Sequence, residues 1–155
     1  PRCHVYAYCL MGNHVHLLLQ EGSETIGDIM KRIASSYVYY YNHKYGRVGH
    51  LFQERFKSQP VNDFSYFTTL LRYIHQNPLK AMLVDSIDEY EWSSWQEYKG
   101  TARQGFCSTQ VVLGRIPFAD LKVLVETPLA EEDANQFIDV DVRPTKSTYS
   151  DEEIW

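Results

Sequence analysis

Two short apolar runs open the chain and predict a pair of strands. The first run is CHVYAYCLM and the second is HVHLLLQ, and both are rich in apolar, aromatic or β-branched residues. The dipeptide Gly12-Asn13 between them is typical of a turn, and Glu21-Gly22-Ser23 marks the end of the second run. We therefore expect two strands joined by a turn, or one strand that a turn interrupts.

Apolar residues then recur at the spacing of a helix. The pattern extends from about Thr25 to His43 and predicts one long amphipathic helix, with this apolar stripe: Ile26, Ile29, Met30, Ile33, Tyr37, Tyr40 and Tyr41. A second helix should begin after the N-cap residue Asp63 and end near Asn77, because Pro78 follows. Its apolar stripe is Phe67, Leu70, Leu71 and Ile74. The run LKAMLV after it predicts a further short helix.

The cluster YVYYYNHKY in the first helix has two interpretations. Closely spaced tyrosines are typical of a catalytic or base-stacking site. However, Tyr37, Tyr40 and Tyr41 fall on the apolar stripe, so packing in the core or in an interface is favoured. We also expect Trp92 and Trp95, in the run YEWSSWQEY, to pack on the core.

Length and composition indicate one folded domain with an appended segment. The 155 residues, 44% of them hydrophobic, suffice for one core. The periodicity weakens after Thr101, and Ala130–Trp155 is acidic and contains several Ser and Thr residues. We predict a domain over residues 1–100 and an acidic, partly flexible C-terminal extension over residues 101–155.

No segment of the sequence predicts a membrane span or a secretion signal. Its apolar runs are well short of the roughly 18 residues that a spanning helix needs, and Pro1–Leu10 lacks the layout of a signal peptide. The three cysteines form no C-x-x-C pair, which disfavours a disulfide framework and a cysteine zinc site. A cytoplasmic location is the expectation.

Charge is unevenly distributed along the chain. Residues 1–80 contain nine Lys and Arg against five Asp and Glu, whereas residues 81–155 contain six against fifteen. In the run YGRVGHLFQERFKS, predicted as a loop leading into a strand, cations alternate with Phe52 and Phe56, a mixture that suits a nucleic-acid surface. The predicted contact residues are Arg47, His50, Gln53, Arg55 and Lys57. A merely solvated surface is the alternative.

Two polar patterns accompany the predicted strands and helices. His14 and His16 alternate with Val15, so in a strand both imidazoles share one face, which suits either a metal ion or a pair of hydrogen-bonded structural histidines. On the second predicted helix, Tyr66, Tyr73 and Asn77 fall within a narrow arc beside the apolar stripe. The residues alone leave the role of both patterns open.

Four of these segments together resemble a known family. The segments MGNHVHLLL, YGRVGHLFQERFKS, LLRYIHQNPLKAMLV and YEWSSWQEY follow the order and approximate spacing of the single-tyrosine HUH transposases. The chain resembles in particular the REP-associated tyrosine transposases, relatives of the insertion-sequence-200 type, over about residues 1–100. This resemblance implies an α+β, ferredoxin-like antiparallel sheet with helices on one face. Family members begin with a further strand and helix, so we expect the N-terminal strand and helix to be missing.

The resemblance also implies an activity and its residues. It implies a metal-dependent transposase that nicks and rejoins single-stranded DNA, with hairpin or palindromic ends, through a covalent 5′-phosphotyrosine. His14 and His16 would be ligands of Mg²⁺ or Mn²⁺, Asn77 the third ligand and Tyr73 the nucleophile. Because a free phenol titrates near pH ~10, a base, a cation or the metal must help remove its proton. The protein would act as a monomer or a homodimer, away from membranes.

Two rival functions are less well supported by the residues. A histidine-based phosphoesterase needs a third alternating histidine, where this chain has Leu18, or a second separated histidine motif, which the chain lacks. A domesticated DNA- or RNA-binding protein that no longer cleaves is the alternative function, and an incomplete N-terminal sheet would favour it. The complete set of His14, His16, Tyr73 and Asn77 favours the transposase.

Overall fold

The fold is an antiparallel hairpin on which helices pack. The structure is a computed structural model that describes residues 1–135 and residue 137. Its strands are β1 (Cys3–Leu10) and β2 (Val15–Glu21), and its helices are α1 (Ile26–Tyr45), α2 (Phe64–Lys80), α3 (Trp95–Tyr98), α4 (Thr109–Leu113), α5 (Phe118–Glu126) and α6 (Glu131–Ala134), with a 3-10 turn at Ile87–Glu89. The predicted α+β class is confirmed. The missing N-terminal strand and helix stay a prediction.

The two predicted strands pair with each other and form an antiparallel hairpin. Within the described residues the sheet has two strands, in which Cys9 pairs with His16 and Leu10 with Val15. The Met11 amide donates to the His14 carbonyl at 2.9 Å and closes the turn. The register shifts between Val5 and Ala7, as at a β-bulge.

Helix α1 begins and ends where its sequence allows. Thr25 caps the start by accepting a hydrogen bond from the Asp28 amide, and Gly46 ends the helix with φ of 61°, a conformation that favours glycine. The predicted helix is thus confirmed, with its C-terminus two residues later. Core packing is wrong for Tyr37 and Tyr40, which are 47% and 56% exposed, whereas Tyr41 is partly buried. Packing of these tyrosines in an interface stays a prediction. Helix α1 contacts the sheet through β2, and Ile29 is its one buried residue.

Helix α2 continues past the proline that was expected to end it. Asp63 caps its start, as predicted, by accepting from the Tyr66 amide at 2.7 Å. Pro78 lies inside the last turn and has no amide hydrogen to donate, yet the Ala81 amide still donates to the Asn77 carbonyl beyond it, so the turn closes. The predicted end at Asn77 and the separate short helix in LKAMLV are therefore wrong. The chain turns instead at Met82, whose φ is 54°.

The segment between α1 and α2 is a loop throughout. The strand predicted within YGRVGHLFQERFKS is absent, and residues 46–62 have no regular structure. A strand needs a partner for its backbone hydrogen bonds, and the sheet of the described residues pairs only β1 with β2. The five predicted DNA-contact residues are all exposed in this loop.

The core forms where α2 crosses the hairpin. Its buried residues come from both strands, from α2 and from the later helices: Ala7, Cys9, Leu18, Leu71, Tyr73, Ile74, Ile87, Trp95, Tyr98, Val112, Leu121, Val125, Leu129 and Phe137. Trp95 is buried as predicted, whereas Trp92 is 52% exposed and that prediction is wrong.

In the described part of the chain, no helix combines the length and apolarity needed to cross a bilayer. The cytoplasmic location stays a prediction.

The first part of the C-terminal extension packs on α2. Leu121 and Val125 of α5 are fully buried. The Gln76 side-chain amide donates to the carbonyls of Val125 and Thr127, at 2.7 and 2.6 Å. The flexibility predicted for the rest of the extension falls on residue 136 and residues 138–155, which lie outside the described residues. The division at residue 100 stays a prediction.

A buried polar contact ties α2 to the hairpin. The His75 Nε2 lies 2.8 Å from the Ser94 Oγ, and the same hydroxyl accepts from the Tyr8 amide of β1 at 2.9 Å. Ser94 also donates its amide to the Tyr8 carbonyl at 3.0 Å. Burial lowers the pKa of His75 to about 4. The neutral imidazole is therefore the form that this contact stabilises.

We expect this histidine to make the protein sensitive to acid. In the unfolded chain its pKa returns to 6.5, so the stabilisation is complete above pH 6.5 and is lost as the pH falls toward 4. The loss should reach about 3 kcal/mol of unfolding free energy. Urea denaturation across this pH range measures it. In the variant His75→Gln the free energy of unfolding should depend less on pH. His43→Gln, a control at an exposed position, should keep the wild-type dependence. The same pH dependence in wild type and His75→Gln would contradict the assignment to His75.

Candidate functional site

The two histidines of the hairpin converge on one point. His14 immediately precedes β2 and His16 is its second residue, and their Nε2 atoms are 3.1 Å apart. The rings meet edge to face, with centroids 4.8 Å apart. The Asn13 Oδ1 lies 2.6 Å from the His14 Nδ1, which orients that ring with its Nε2 toward His16. The hairpin turn and the strand thus bring both donor nitrogens together.

This separation fits two ligands of one divalent cation. Two donors bound at about 2.1 Å and about 90° to each other lie roughly 3.0 Å apart. Within the described residues, no three His, Cys, Asp or Glu side chains form a group that could hold a metal. An amide oxygen is also a ligand that Mg²⁺ and Mn²⁺ accept.

Helix α2 brings a tyrosine against the second histidine. The Tyr73 ring meets the His16 ring edge to face, with centroids 5.6 Å apart. Asn77 lies one turn later and is 7% exposed. Its Nδ2 donates to the Tyr73 carbonyl at 2.9 Å, and this bond does not use the Asn77 Oδ1. Tyr73 and Asn77 share the arc of the helix that their spacing predicted.

Two further side chains enclose Tyr73, and neither was predicted from the sequence. The Lys80 Nζ lies 4.6 Å from the centroid of the Tyr73 ring, and the Phe137 ring packs on it with centroids 4.6 Å apart. Tyr73 is consequently only 2% exposed. Lys80 could have been predicted from the sequence, because it lies seven residues after Tyr73 and residues seven apart lie on the same face of a helix. Nothing in the sequence connects Phe137 with Tyr73.

Tyr66 is the competing tyrosine on the same edge of α2. It lies two turns before Tyr73, and its ring packs on Phe137 with centroids 5.5 Å apart. Burial raises the pKa of its phenol. The edge contact with His16 distinguishes Tyr73 from it.

The predicted DNA-contact residues form a separate, exposed set. Arg47 and His50 line a groove beside α1. Gln53, Arg55 and Lys57 follow in the same loop, and the Lys57 Nζ lies 3.7 Å from the Glu54 carboxylate. Their contact with nucleic acid stays a prediction.

Comparison with protein-family models relates the chain to one family. The family model described as "Transposase IS200 like" matches residues 1–77. The chain belongs to the IS200-like transposase family. The matched residues include the hairpin, α1, the basic loop of residues 46–62 and α2 as far as Asn77. Comparison with curated proteins and with solved structures found no match.

Family membership establishes the general activity. Members of this transposase family act on DNA, so the protein is a DNA-binding transposase of the IS200 kind and, in general terms, a DNA-cleaving enzyme. The segment that the family model covers contains the histidine pair and the tyrosine that contacts it. The region after residue 77, including Lys80 and Phe137, lies outside the match.

We expect Phe137 to control access to the Tyr73 ring. In the variant Phe137→Ala, tetranitromethane should nitrate Tyr73 faster than in the wild type, because the ring that covers Tyr73 is removed. Phe137→Leu, which keeps apolar cover, is the matched variant and should retain most of the protection. Mass spectrometry of peptides measures nitration, with Tyr39, 75% exposed, as the internal reference.

The reference tyrosine should react alike in all three proteins, and circular dichroism should show that each is folded. Equal nitration of Tyr73 in wild type and Phe137→Ala would contradict the cover that the structure gives to this ring.

Proposed function

We propose that the protein is a metal-dependent transposase that nicks and rejoins single-stranded DNA through a covalent 5′-phosphotyrosine on Tyr73. The observation that carries the proposal is the contact between the Tyr73 and His16 rings, because the His16 Nε2 also lies 3.1 Å from the His14 Nε2. A tyrosine beside convergent metal-binding nitrogens has the components that phosphoryl transfer needs.

His14, His16 and Asn77 are the proposed ligands of Mg²⁺ or Mn²⁺. The separation of the two Nε2 atoms and an Asn77 Oδ1 that the bond to the Tyr73 carbonyl does not use support this set. A bound ion would polarise the scissile phosphate and offset its negative charge. Neutral imidazole is the binding form, so acid should weaken the metal site.

Tyr73 is the proposed nucleophile. Its phenolic oxygen forms a bond to phosphorus while the bond from phosphorus to the 3′ oxygen breaks, and the phenolic proton is transferred away. The 5′ phosphate then remains on Tyr73 and the departing strand ends in a 3′ hydroxyl. A 3′ hydroxyl that attacks this phosphotyrosine restores a phosphodiester and releases the phenol. No nucleotide cofactor is required, because the phosphotyrosine keeps the energy of the broken bond.

Lys80 is the proposed cation that assists this step. Its ammonium group lies against the Tyr73 ring, and an adjacent positive charge favours the deprotonated form of a phenol. Lys80 therefore acts through Tyr73 and is a positioning residue in this scheme.

The proposed substrate is single-stranded DNA with hairpin or palindromic ends, bound in part by Arg47, His50, Gln53, Arg55 and Lys57. Their exposure in one loop supports this role. In the described residues 29–53 the chain contains four Lys and Arg and no Asp or Glu, although its net charge is −5. The protein would act as a monomer or a homodimer.

The metal site is tested by removing its ligands one at a time. We expect His14→Ala and His16→Ala each to abolish nicking of a single-stranded hairpin and to weaken Mn²⁺ binding at least tenfold, since each removes one of three ligands. Isothermal titration measures the affinity and a denaturing gel the nicking. His4→Ala, at the opposite end of the hairpin, is the matched control and should leave both unchanged. Wild-type Mn²⁺ affinity in both site variants would disprove the ligand set.

The nucleophile is tested by removing a single oxygen. In Tyr73→Phe the fold and DNA binding should persist while the covalent protein–DNA adduct disappears. Tyr66→Phe is the matched control and should form the adduct normally, because Tyr73 is the tyrosine whose ring contacts His16. Denaturing gels detect the adduct, and peptide mapping locates it.

An adduct on any other tyrosine would overturn the assignment of Tyr73. A wild-type protein that binds single-stranded DNA but never cleaves it would instead support the alternative function, a DNA- or RNA-binding protein without nuclease activity.

A further inference from the structure

A groove runs between α1 and the loop that follows it. Its volume is about 680 Å³, within the range of sites that hold small organic ligands. Small, apolar and amide side chains of Ala34, Ser35, Val38, Asn42 and Leu51 form half of its lining. Aromatic and basic side chains form the other half: Tyr39, His43, Arg47, His50 and Phe52. The groove uses none of the residues proposed for phosphoryl transfer.

The loop is held against α1, so the groove has a defined shape. The Asn42 side-chain amide donates to the Gly49 carbonyl at 2.9 Å, and the Arg47 amide donates to the Asn42 carbonyl at 2.9 Å. The Phe52 ring packs on Tyr37 with centroids 6.1 Å apart. Asn42 thus joins the helix to the loop at two points.

Both walls of the groove offer aromatic faces to the solvent. Tyr39 is 75% exposed, and its ring stacks on His43 with an interplanar angle of 24°. Phe52 on the opposite wall is 49% exposed. Exposed rings on two sides of a groove can stack on a planar ligand in a way that buried core rings cannot.

The charge around the groove determines which planar ligand fits. The groove lies within the stretch of residues 29–53 that contains no Asp or Glu. Arg47 lies at its edge, with its guanidinium 5.8 Å from the Tyr41 ring centroid. Cations beside exposed rings complement a ligand that combines a planar base with a phosphate. An acidic peptide would match the charge but would leave the rings unused.

We infer that this groove binds unstacked bases of single-stranded DNA, which stack on Tyr39 and Phe52 while Arg47 pairs with a phosphate. The inference rests on the proposed single-stranded substrate and adds to it a site for the bases, lined by residues other than the histidine pair. Stacking on aromatic side chains is tolerant of base identity, so this groove should hold the strand without selecting its sequence.

The test is fluorescence anisotropy with fluorescein-labelled single-stranded oligothymidine and with an abasic strand of the same length. On oligothymidine, Tyr39→Ala and Phe52→Ala should each raise Kd roughly fivefold to a hundredfold, the range expected for one lost stacking contact. On the abasic strand the same variants should bind like the wild type. Tyr40→Ala, exposed on the same helix but outside the groove, is the matched control and should bind like the wild type on both strands.

Arg47→Gln separates the phosphate contact from stacking. It should lower the slope of log Kd against log salt by about 0.7, the value for one phosphate contact on a single strand. Tyr39→Ala should leave that slope unchanged, and Tyr39→Trp should restore the affinity.

Two results would overturn the inference while the proposed function stands: oligothymidine binding that Tyr39→Ala and Phe52→Ala do not alter, or an equal loss on the abasic strand. In either case the wild type would still bind oligothymidine and form the Tyr73 adduct. A wild type that binds no single-stranded DNA would overturn the proposed function as well. A dimer that Tyr39→Ala dissociates, with DNA affinity unchanged, would assign the groove to a second copy of the chain.

Discussion

The packing of α2 across the hairpin is the constraint on which the rest of the structure depends. Leu71 and Ile74 bury the apolar stripe of α2 in the same core as Ala7 and Leu18 of the hairpin. The contact between His75 and Ser94 then fixes the helix on the polar side of that stripe. Because successive residues on a helix are about 100° apart, a rotation by one residue would carry Tyr73 away from His16. The candidate site therefore exists only while this interface is intact.

The site uses few elements, and each has its own source of rigidity. The hairpin supplies both histidines, and its turn is closed by backbone hydrogen bonds. One helix supplies the tyrosine, the amide and the lysine, at spacings of four and seven residues from Tyr73. Side chains carried by regular elements keep their relative positions better than side chains on loops, as the proposed in-line attack on a phosphate would require.

The C-terminal segment and the region of α1 contribute to the structure in different ways. The described part of the C-terminal extension packs on α2, where Gln76 donates to the Val125 carbonyl, and Phe137 lies against the Tyr73 ring. Helix α1 and the basic loop extend from the core and expose tyrosines and cations. The C-terminal segment thus adds buried side chains to the core, whereas α1 and the loop after it expose rings and cations.

The sequence by itself determined what depends on local spacing. The period of apolar residues predicted both long helices, the cap Asp63 was evident from its residue type, and alternation placed His14 and His16 on one face. Family resemblance then named Tyr73 and Asn77, and the spacing of four residues was consistent with it. These features are local, because helix and strand geometry alone relates residues a few positions apart.

Only the tertiary structure decided which apolar residues are buried and which distant residues meet. Tyr37 and Tyr40 are exposed although they lie on an apolar stripe, because burial depends on whether another element covers that stripe. Pro78 remains helical since the turn around it still closes through Ala81. Phe137 reaches Tyr73 from 64 residues away in sequence, and the groove beside α1 requires a loop to fold back onto its helix. Such contacts depend on how the elements pack, and local periodicity does not encode that packing.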